Sequence, residues 1–386
     1  MNIKEIDKQY VANTYNRFDL EIVSGKGAYC YDEKGKEYID MTSGIGVNIF
    51  GYSDEEWCKA VTQQANKLQH ASNLYYTRPC ALLAQKLCKL TGMKKVFFSN
   101  SGAEANECAI KVARKYMSEK KGEEYYNIIT LKNSFHGRTL TTLSATGQKA
   151  FHTLFNPLTK GFLYAEPNDI DSVKMLVDNN KVAAVMIECV QGESGVNMLD
   201  FEYVSALYKL CKDNDILFIV DEVQTGNGRT GKLYSYMNYE IKPDIVTTAK
   251  GLAGGLPMGA TLLNQRVENV LTYSTHGSTF GGNPVCAAAA LSVLDRIDEA
   301  LLSKVIEKGE YIKNELKDIP SVQQVSGMGL MIGIKTEKAV SDVIARCMQN
   351  GVLCLSAKDK LRLLPPLNIS WEALKKAVSV IKNSLD

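Results

Sequence analysis

The chain has 386 residues and a net charge of +2, and its composition, 45% hydrophobic and 23% charged, is that of an ordinary globular protein. The near-neutral charge gives no electrostatic reason to expect a nucleic acid or an anionic membrane as partner, and no apolar run is long enough for a transmembrane helix. The N-terminus, MNIKEIDKQY, lacks an apolar signal segment, and the ten cysteines form no C-x-x-C pair. We therefore expect a reduced, cytoplasmic protein that binds no metal.

The predicted elements begin with a hairpin-like stretch in residues 25–44, which we expect to pack on a smaller domain. Strand-like apolar runs and helix-like segments then alternate as far as residue 250. The strands are predicted over 94–102, 125–133, 181–190, 215–223 and 244–250, and the helices over 103–120 and 202–214. This alternation is typical of a largely parallel sheet with helices on both faces.

The pattern changes near residue 286. One long Ala-rich helix is predicted over 285–319, and strand-like runs follow at 327–336 and 352–357. We therefore predict an α/β protein in three parts. These are an N-terminal segment (1–45) that packs on the small domain, a large domain (46–285) with a mostly parallel central sheet, and a small C-terminal α/β domain (286–386).

Small and polar residues follow the predicted strands, at the sheet edge where open α/β folds bind ligands. The turn at residues 101–103 opens a helix, so its backbone N–H groups could bind an anion, and an ordinary cap by Ser101 is the alternative. The stretch NSFHGRTL (133–140) brings an aromatic ring, a histidine and an arginine together. The strand predicted over 181–190 leads into ECVQGESG (188–195), which contains Glu188 and Glu193. Asp221 ends an apolar run, so we expect it to be buried and to need a partner.

The stretch TTAKGLAGGLPMGA (247–260) places Lys250 at the end of an apolar run and before several glycines. Such a lysine lies either in a surface loop or in a pocket that lowers its pKa, where it can act as an amine nucleophile. A second anion candidate is the loop HGSTFGGNP (276–284). One ligand suits all these features, an aromatic aldehyde with a phosphate and a pyridine nitrogen. We therefore predict pyridoxal phosphate as the cofactor.

Five stretches resemble signature sequences of the class-III aminotransferases, which have the fold of type I pyridoxal-phosphate enzymes. They are FSNSGAEANE, SFHGRTL, IVDEVQTGNGRTG, PDIVTTAKG and GSTFGGNP, and the match extends over roughly residues 10–370. The stretches SNLYYTRP (72–79) and SFHGRTLTTLSATGQ (134–148) resemble the acetylornithine branch more than the ornithine or 4-aminobutyrate branches. NIFGYSDEEW (48–57) and Cys189, where proline is usual, depart from the family pattern and bear on substrate identity only.

The resemblance implies how the cofactor would be bound. Lys250 would hold it covalently and, once freed, would carry a proton, while Asp221 would keep the pyridine nitrogen protonated. The other implied contacts are the N–H groups of Gly102 and Ala103 with the phosphate, Phe135 and Val223 with the ring faces, Gln224 with the ring hydroxyl oxygen, and Thr279 of the partner subunit with the phosphate. The active unit would thus be a homodimer with a phosphate contact across its interface. His136 is expected to pack beside the ring rather than to transfer a proton.

The resemblance also implies two substrates, N-acetylornithine and 2-oxoglutarate (or glutamate). Arg138, helped by Tyr15 and Ser278, would bind the carboxylate remote from the reacting amine. Arg362 would bind the α-carboxylate of glutamate, and Glu193 would pair with Arg362 when no carboxylate is there. The implied reaction transfers the terminal amino group of N-acetylornithine to 2-oxoglutarate in arginine biosynthesis. Ornithine, succinylornithine and 4-aminobutyrate aminotransferases, and an aminomutase on the same fold, remain alternatives.

Overall fold

The N-terminal part forms a small meander. The computed structural model describes residues 2–386. Helix α1 (Ile3–Tyr10) begins at a capping box of Asn2 and Glu5. The antiparallel strands β1 (Ile22–Lys26), β2 (Tyr29–Asp32) and β3 (Glu37–Asp40) follow, and the short helical turn α2 (Ser43–Gly46) leads into the large domain.

The large domain alternates helices and strands. Its helices are α3 (Glu55–Lys67), α4 (Arg78–Thr91), α5 (Gly102–Lys121), α6 (Leu140–Ala145), α7 (Lys149–His152), α8 (Ile170–Asn179) and α9 (Phe201–Asp213). Its strands are β4 (Lys95–Ser99), β5 (Asn127–Leu131), β6 (Phe162–Ala165), β7 (Val182–Ile187), β8 (Val190–Gln191), β9 (Asn197–Met198), β10 (Leu217–Asp221), β11 (Ile245–Thr248) and β12 (Gly259–Leu263). Two 3-10 turns lie at Ser235–Tyr239 and Lys250–Ala253. Strands β8 and β9 form a separate antiparallel ribbon.

The other seven of these strands form one sheet in the order β4–β12–β11–β10–β7–β5–β6. Strand β12 is antiparallel to both of its neighbours, and the remaining pairs are parallel. Along β10, Phe218 and Val220 join one apolar cluster while Leu217 and Ile219 join another, because alternate residues of a strand point to opposite faces. The predicted mostly parallel α/β sheet is confirmed.

The C-terminal part contains four helices and a second sheet. The helices are α10 (Pro284–Leu294), α11 (Glu299–Leu316), α12 (Val340–Gln349) and α13 (Trp371–Leu385). The strands are β13 (Val322–Met328), β14 (Met331–Thr336), β15 (Val352–Leu353), β16 (Leu355–Ala357) and β17 (Lys360–Leu363). The antiparallel sheet has the order β13–β14–β17–β16. Strand β15 instead pairs in parallel with β3, so the N-terminal meander and the C-terminal part share a sheet.

The single helix predicted over 285–319 is wrong, since α10 ends at Leu294 and α11 begins at Glu299. The break is stabilised at Asp298, whose side chain accepts a hydrogen bond from the N–H of Leu301 at 2.8 Å and so caps α11. Among residues 2–386, no helix combines the length and the apolar character that crossing a membrane requires.

Candidate active site

A cavity of about 430 Å³ opens beyond the ends of β10 and β11. Its wall includes most of the residues predicted from the sequence, namely Gly102, Ala103, Phe135, Arg138, Asp221, Val223, Gln224 and Lys250. They come from several loops that follow different strands, and the parallel arrangement brings those loops to one edge of the sheet.

Lys250 begins the 3-10 turn directly after β11 and lies in the cavity wall rather than in a surface loop. Its φ of +42° is in the left-handed region, which is sparsely populated by residues other than glycine. Burial lowers the pKa of Lys250 below its ordinary 10.5. The side chain is therefore more readily the neutral amine that nucleophilic attack requires.

Asp221, at the end of β10, is 4% exposed and is held by three donors. Its Oδ2 accepts hydrogen bonds from Asn106 Nδ2 at 2.7 Å and from His136 Nδ1 at 2.8 Å, and its Oδ1 accepts from the N–H of Val223 at 3.0 Å. An ionised carboxylate only accepts, so the hydrogen of the imidazole bond is assigned to Nδ1. Burial acts to lower the pKa of His136, but the hydrogen bond and charge of Asp221 raise it above the ordinary 6.5.

Asn106 is a site residue that the sequence reasoning missed. It is 1% exposed on α5, its Nδ2 also donates to the carbonyl of His136 at 2.8 Å, and its Oδ1 accepts from Thr247 Oγ1 at 2.6 Å. The sequence did contain a signal for it. Asn106 is a polar residue on the same helix face as Ala109 and Ala113, which are apolar and buried, so it could have been expected to be buried as well. Asn106 thus fixes the carboxylate of Asp221 from the side of the helix.

The N-terminus of α5 accommodates both alternatives considered for residues 101–103. Ser101 caps the helix, since its Oγ accepts from the N–H of Glu104 at 3.1 Å. Gly102 and Ala103 line the cavity at the helix start, where N–H groups have no intrahelical acceptor. A Cβ on Gly102 would lie 2.6 Å from a methyl carbon of Val223, so only glycine fits this close approach. The first turn can therefore bind an anion while the cap stays intact.

Phe135 and Arg138 form an aromatic and cationic part of the wall. The N–H of Phe135 donates to Glu188 Oε2 at 2.9 Å, and its ring meets that of Phe151 edge to face at 5.8 Å. The guanidinium carbon of Arg138 lies 4.2 Å from the centre of the Phe151 ring, a cation–π contact. Burial raises the pKa of Glu188 to about 7. The sequence drew attention to Glu188 without assigning it this contact.

Arg362 reaches the site from β17 of the C-terminal part and is 3% exposed. Its Nη1 lies 2.7 Å from Glu193 Oε1 and also donates to Gln224 Oε1 at 3.1 Å, while Gln224 Nε2 donates to Glu193 Oε1 at 3.0 Å. Burial opposes ionisation of Glu193, but Arg362 and Lys250 lower its pKa below the ordinary 4.5. The two residues thus form a largely buried ion pair next to a residue of the cavity wall.

Besides Glu193 and Arg362, three predicted residues do not line this cavity. Tyr15 is 70% exposed and lies beside Arg17. Ser278 and Thr279 line a separate surface groove, where Ser278 Oγ accepts from Asn100 Nδ2 at 3.3 Å. Asn100 is also part of the cavity wall, so the groove and the cavity are neighbours.

The side chains of the cavity fit pyridoxal phosphate. A lysine with a lowered pKa suits the aldehyde, a fixed carboxylate suits the protonated pyridine nitrogen, and the helix N-terminus suits the phosphate. The Nε2 of His136 is buried with no hydrogen-bond partner among residues 2–386, as expected of a wall that faces a bound ring. Fold and cavity together define an enzyme of the pyridoxal-phosphate-dependent transferase class.

The chain belongs to the class-III aminotransferases, whose sequence profile matches residues 10–385. It is 51% identical to the acetylornithine aminotransferase of Haemophilus ducreyi, over 99% of this chain and 98% of that protein, and 46% identical to the one of Aquifex aeolicus, over 97% and 100%. The ornithine aminotransferase of Toxoplasma gondii, described with partial occupancy of PLP at its active site, superposes with a TM-score of 0.94 at 31% identity, over 99% of this chain and 93% of that one. The predicted family, enzyme class and cofactor are confirmed.

Proposed function

We propose that this aminotransferase moves the terminal amino group of N-acetylornithine to 2-oxoglutarate, giving N-acetylglutamate 5-semialdehyde and glutamate in arginine biosynthesis. The observation that carries the proposal is that one arginine of the site is in an ion pair with a carboxylate and another is not. Arg362 is paired with Glu193, whereas Arg138 in the cavity wall packs on aromatic rings. The names of the two relatives support the same substrate. We place the reaction in the cytoplasm, since the ten cysteines are free thiols.

Two substrates of different shape must use one site. In N-acetylornithine the only carboxylate is remote from the reacting amine, whereas glutamate has one remote carboxylate and one next to its amine. Arg138 can bind the remote carboxylate of both molecules, and Arg362 is required only by glutamate. A buried cation without a partner is costly, so Glu193 neutralises Arg362 during the half-reaction with N-acetylornithine.

The residues of the cavity divide the chemical work. Pyridoxal phosphate, when bound, supplies an aldehyde that accepts the amino group and a pyridinium ring that withdraws electrons. Lys250, with its lowered pKa, would hold the cofactor through Nζ, and once the substrate amine has displaced it, the freed Nζ would take the proton from the amine-bearing carbon of the substrate. Asp221 would keep the proton on the pyridine nitrogen, and Asn106 and His136 hold Asp221 in place.

The remaining contacts orient the ring and the phosphate. Gly102 and Ala103 would donate their N–H groups to the phosphate, and Phe135 and Val223 would contact the ring. Gln224 uses one amide hydrogen for Glu193, so its second hydrogen remains for the ring hydroxyl oxygen. Gln224 would thereby connect the cofactor to the ion pair that selects the substrate.

We also propose a homodimer in which Thr279 contacts the phosphate bound by the partner subunit. Leu74 lines the groove that contains Thr279 and is 88% exposed. Three further aromatic side chains that are close in the chain to residues of this groove are also exposed, Tyr76 105%, Tyr273 102% and Phe280 60%. Asn73 Nδ2 donates to the carbonyls of Ser278 at 2.9 Å and of Gly281 at 3.0 Å, so the segments around residues 74 and 280 are adjacent. Exposed apolar patches of this kind mark protein interfaces.

The test is a panel of amines with 2-oxoglutarate, scored by the glutamate formed. We expect N-acetylornithine to give the highest kcat/KM among N-acetylornithine, ornithine, succinylornithine and 4-aminobutyrate. A higher kcat/KM for one of the other three amines would show that this amine, and not N-acetylornithine, is the preferred substrate. Turnover that needs no 2-oxoglutarate would instead indicate an aminomutase.

A further inference from the structure

Lys360 is a buried lysine that the proposed mechanism does not use. It is the first residue of β17, it is 5% exposed, and burial lowers its pKa below the ordinary 10.5. Its Nζ donates to three neutral oxygens, Asn197 Oδ1 at 2.9 Å, Gln324 Oε1 at 3.2 Å and Ser326 Oγ at 3.3 Å. An ammonium group has three hydrogens, so every one of them is used. Burying a charged group costs free energy, so we expect Lys360 to have a role beyond packing.

The three partners belong to different parts of the molecule. Asn197 begins β9 in the β8–β9 ribbon of the large domain, whereas Gln324 and Ser326 lie on β13 of the C-terminal part. Ser326 Oγ donates in turn to the carbonyl of Val196 at 2.9 Å. Lys360 and its neighbour Ser326 therefore fasten the end of the ribbon to the second sheet.

The loop fastened in this way carries Glu193. Residues 192–196 connect β8 to β9, and within them Val196 has a φ of +54° and Gly195 a φ of +116°. A β-branched residue in the left-handed region is strained and persists only where the surroundings hold it. Asn197 Nδ2 donates to the carbonyl of Ser194 at 2.9 Å, so the residue that accepts from Lys360 also braces the loop from inside.

The same strand supplies the other half of the ion pair. Lys360 and Arg362 are two positions apart on β17, and side chains at such positions point to one face of a strand. Lys360 anchors the loop that carries Glu193, and Arg362 meets the carboxylate of that residue at 2.7 Å.

We propose that Lys360 is a positioning residue that, through Asn197, holds the 192–196 loop where Glu193 pairs with Arg362, and that it thereby sets the preference for amine donors without a carboxylate beside the reacting amine. This role rests on the proposed function of the ion pair. Without Lys360 the strained loop relaxes, Glu193 meets Arg362 less often, and the free guanidinium binds carboxylates that the first half-reaction should exclude.

The experiment compares Lys360→Met with Lys358→Met in the full-length holoenzyme. Lys358 is a matched control, because its Nζ also bridges to the large domain, at Asn133 Oδ1 and 2.8 Å, but not to the loop. The first readout is amide hydrogen exchange of the peptide that spans residues 190–198. We expect exchange about ten-fold faster in Lys360→Met and unchanged exchange in Lys358→Met.

The second readout is the two half-reactions measured separately. Lys360→Met should lower the single-turnover rate with N-acetylornithine about five-fold and leave the glutamate half-reaction within about two-fold of wild type. Asn197→Leu should give the same exchange and the same change in rate, and the double variant should be no worse than either single one, because both remove one link. If Lys360→Met does not fold, Asn197→Leu tests the proposal by itself.

Unchanged exchange in both single variants, or equal slowing of both half-reactions, would overturn the positioning role. A wild-type enzyme that does not use N-acetylornithine would overturn the proposed function instead. In that case the exchange rates would still show whether Lys360 holds the loop.

Discussion

Several residues of this site make more than one hydrogen bond, and in Asp221 these bonds fix the orientation of the carboxylate. Its carboxylate is held from a helix by Asn106 and from a loop by His136. A buried acceptor fixed from two directions has little freedom to turn away from the ring nitrogen that it would serve. Loss of either donor would leave the carboxylate in place but less well aimed, so mutation of Asn106 should affect kcat more than folding.

Lys250 is the residue whose loss should have the largest effect. Lys250→Ala removes the only amine proposed to hold the cofactor covalently, so we expect turnover to fall by at least about three orders of magnitude. Wild-type protein should be yellow, and borohydride should fix the cofactor on the peptide that contains residue 250. The exposed Lys209→Ala is the control and should keep both properties. Near-normal transamination by Lys250→Ala would refute the assignment.

The lowered pKa of Lys250 also predicts how stability depends on pH. Between that lowered pKa and the ordinary 10.5, the unfolded chain binds a proton that the folded chain does not. The free energy of unfolding of the cofactor-free protein should therefore rise with pH through this interval. Urea unfolding at a series of pH values measures this free energy, and its rise with pH should be absent from Lys250→Met. Identical pH profiles for the two proteins would show that Lys250 is not desolvated.

Glu193→Ala tests the selection of substrates. The variant leaves Arg362 free, so half-reaction rates with glutamate should be kept or improved, and other α-amino acids should react better. Rates with N-acetylornithine should fall by about one order of magnitude, equivalent to about 1.4 kcal/mol, because it could also bind with its carboxylate on Arg362. Single-turnover kinetics measure both, with the exposed Glu202→Ala as control. Equal slowing of both half-reactions would show that Glu193 is only structural.

At the scale of elements, the start of α5 is shaped by one close contact. In Gly102→Ala the new Cβ would lie 2.6 Å from Val223, so the helix N-terminus or Val223 must move, and both belong to the proposed cofactor site. We expect the affinity for pyridoxal phosphate to fall by about ten-fold in a titration of cofactor-free protein. Gly92→Ala is matched to it, because Gly92 ends α4 with a φ of +75° and has open space around it. It should cost about 1 kcal/mol of stability and leave cofactor affinity unchanged.

The sequence predicted elements well where local patterns decide them. Lys250 and Asp221 could be found because Asp221 ends one buried strand and Lys250 follows another, and ligands bind at that edge of such sheets. The break between α10 and α11 was missed because the apolar periodicity continues across it and the cap at Asp298 was not recognised. Strand β12 was missed because its five residues stand alone between polar and glycine-rich segments. Asn106 and Lys360 depend on partners far away in the chain, which no local pattern shows.

For the whole molecule, the exposed apolar patch beside Thr279 predicts the oligomeric state. Wild-type protein should sediment as a dimer, and Tyr76→Asp combined with Tyr273→Asp should sediment as a monomer with weaker cofactor retention. Met175→Asp, on an exposed part of α8 away from that groove, is the control and should remain dimeric. Fully active wild-type monomers at assay concentration would contradict both the dimer and the contact across it.

Arg362 lies on a strand that begins at residue 360 of 386, whereas the residues proposed to bind the cofactor all precede residue 280. Synthesis on the ribosome runs from the N-terminus, and domains fold as they emerge. A growing chain therefore displays Lys250, Asp221 and the start of α5 before it has the arginine that neutralises Glu193. Strands β1–β3 are likewise synthesised long before β15, the strand that pairs with β3 and completes their sheet. The nascent enzyme would thus acquire most of the residues proposed to hold the cofactor before it acquires the arginine proposed to select the substrate.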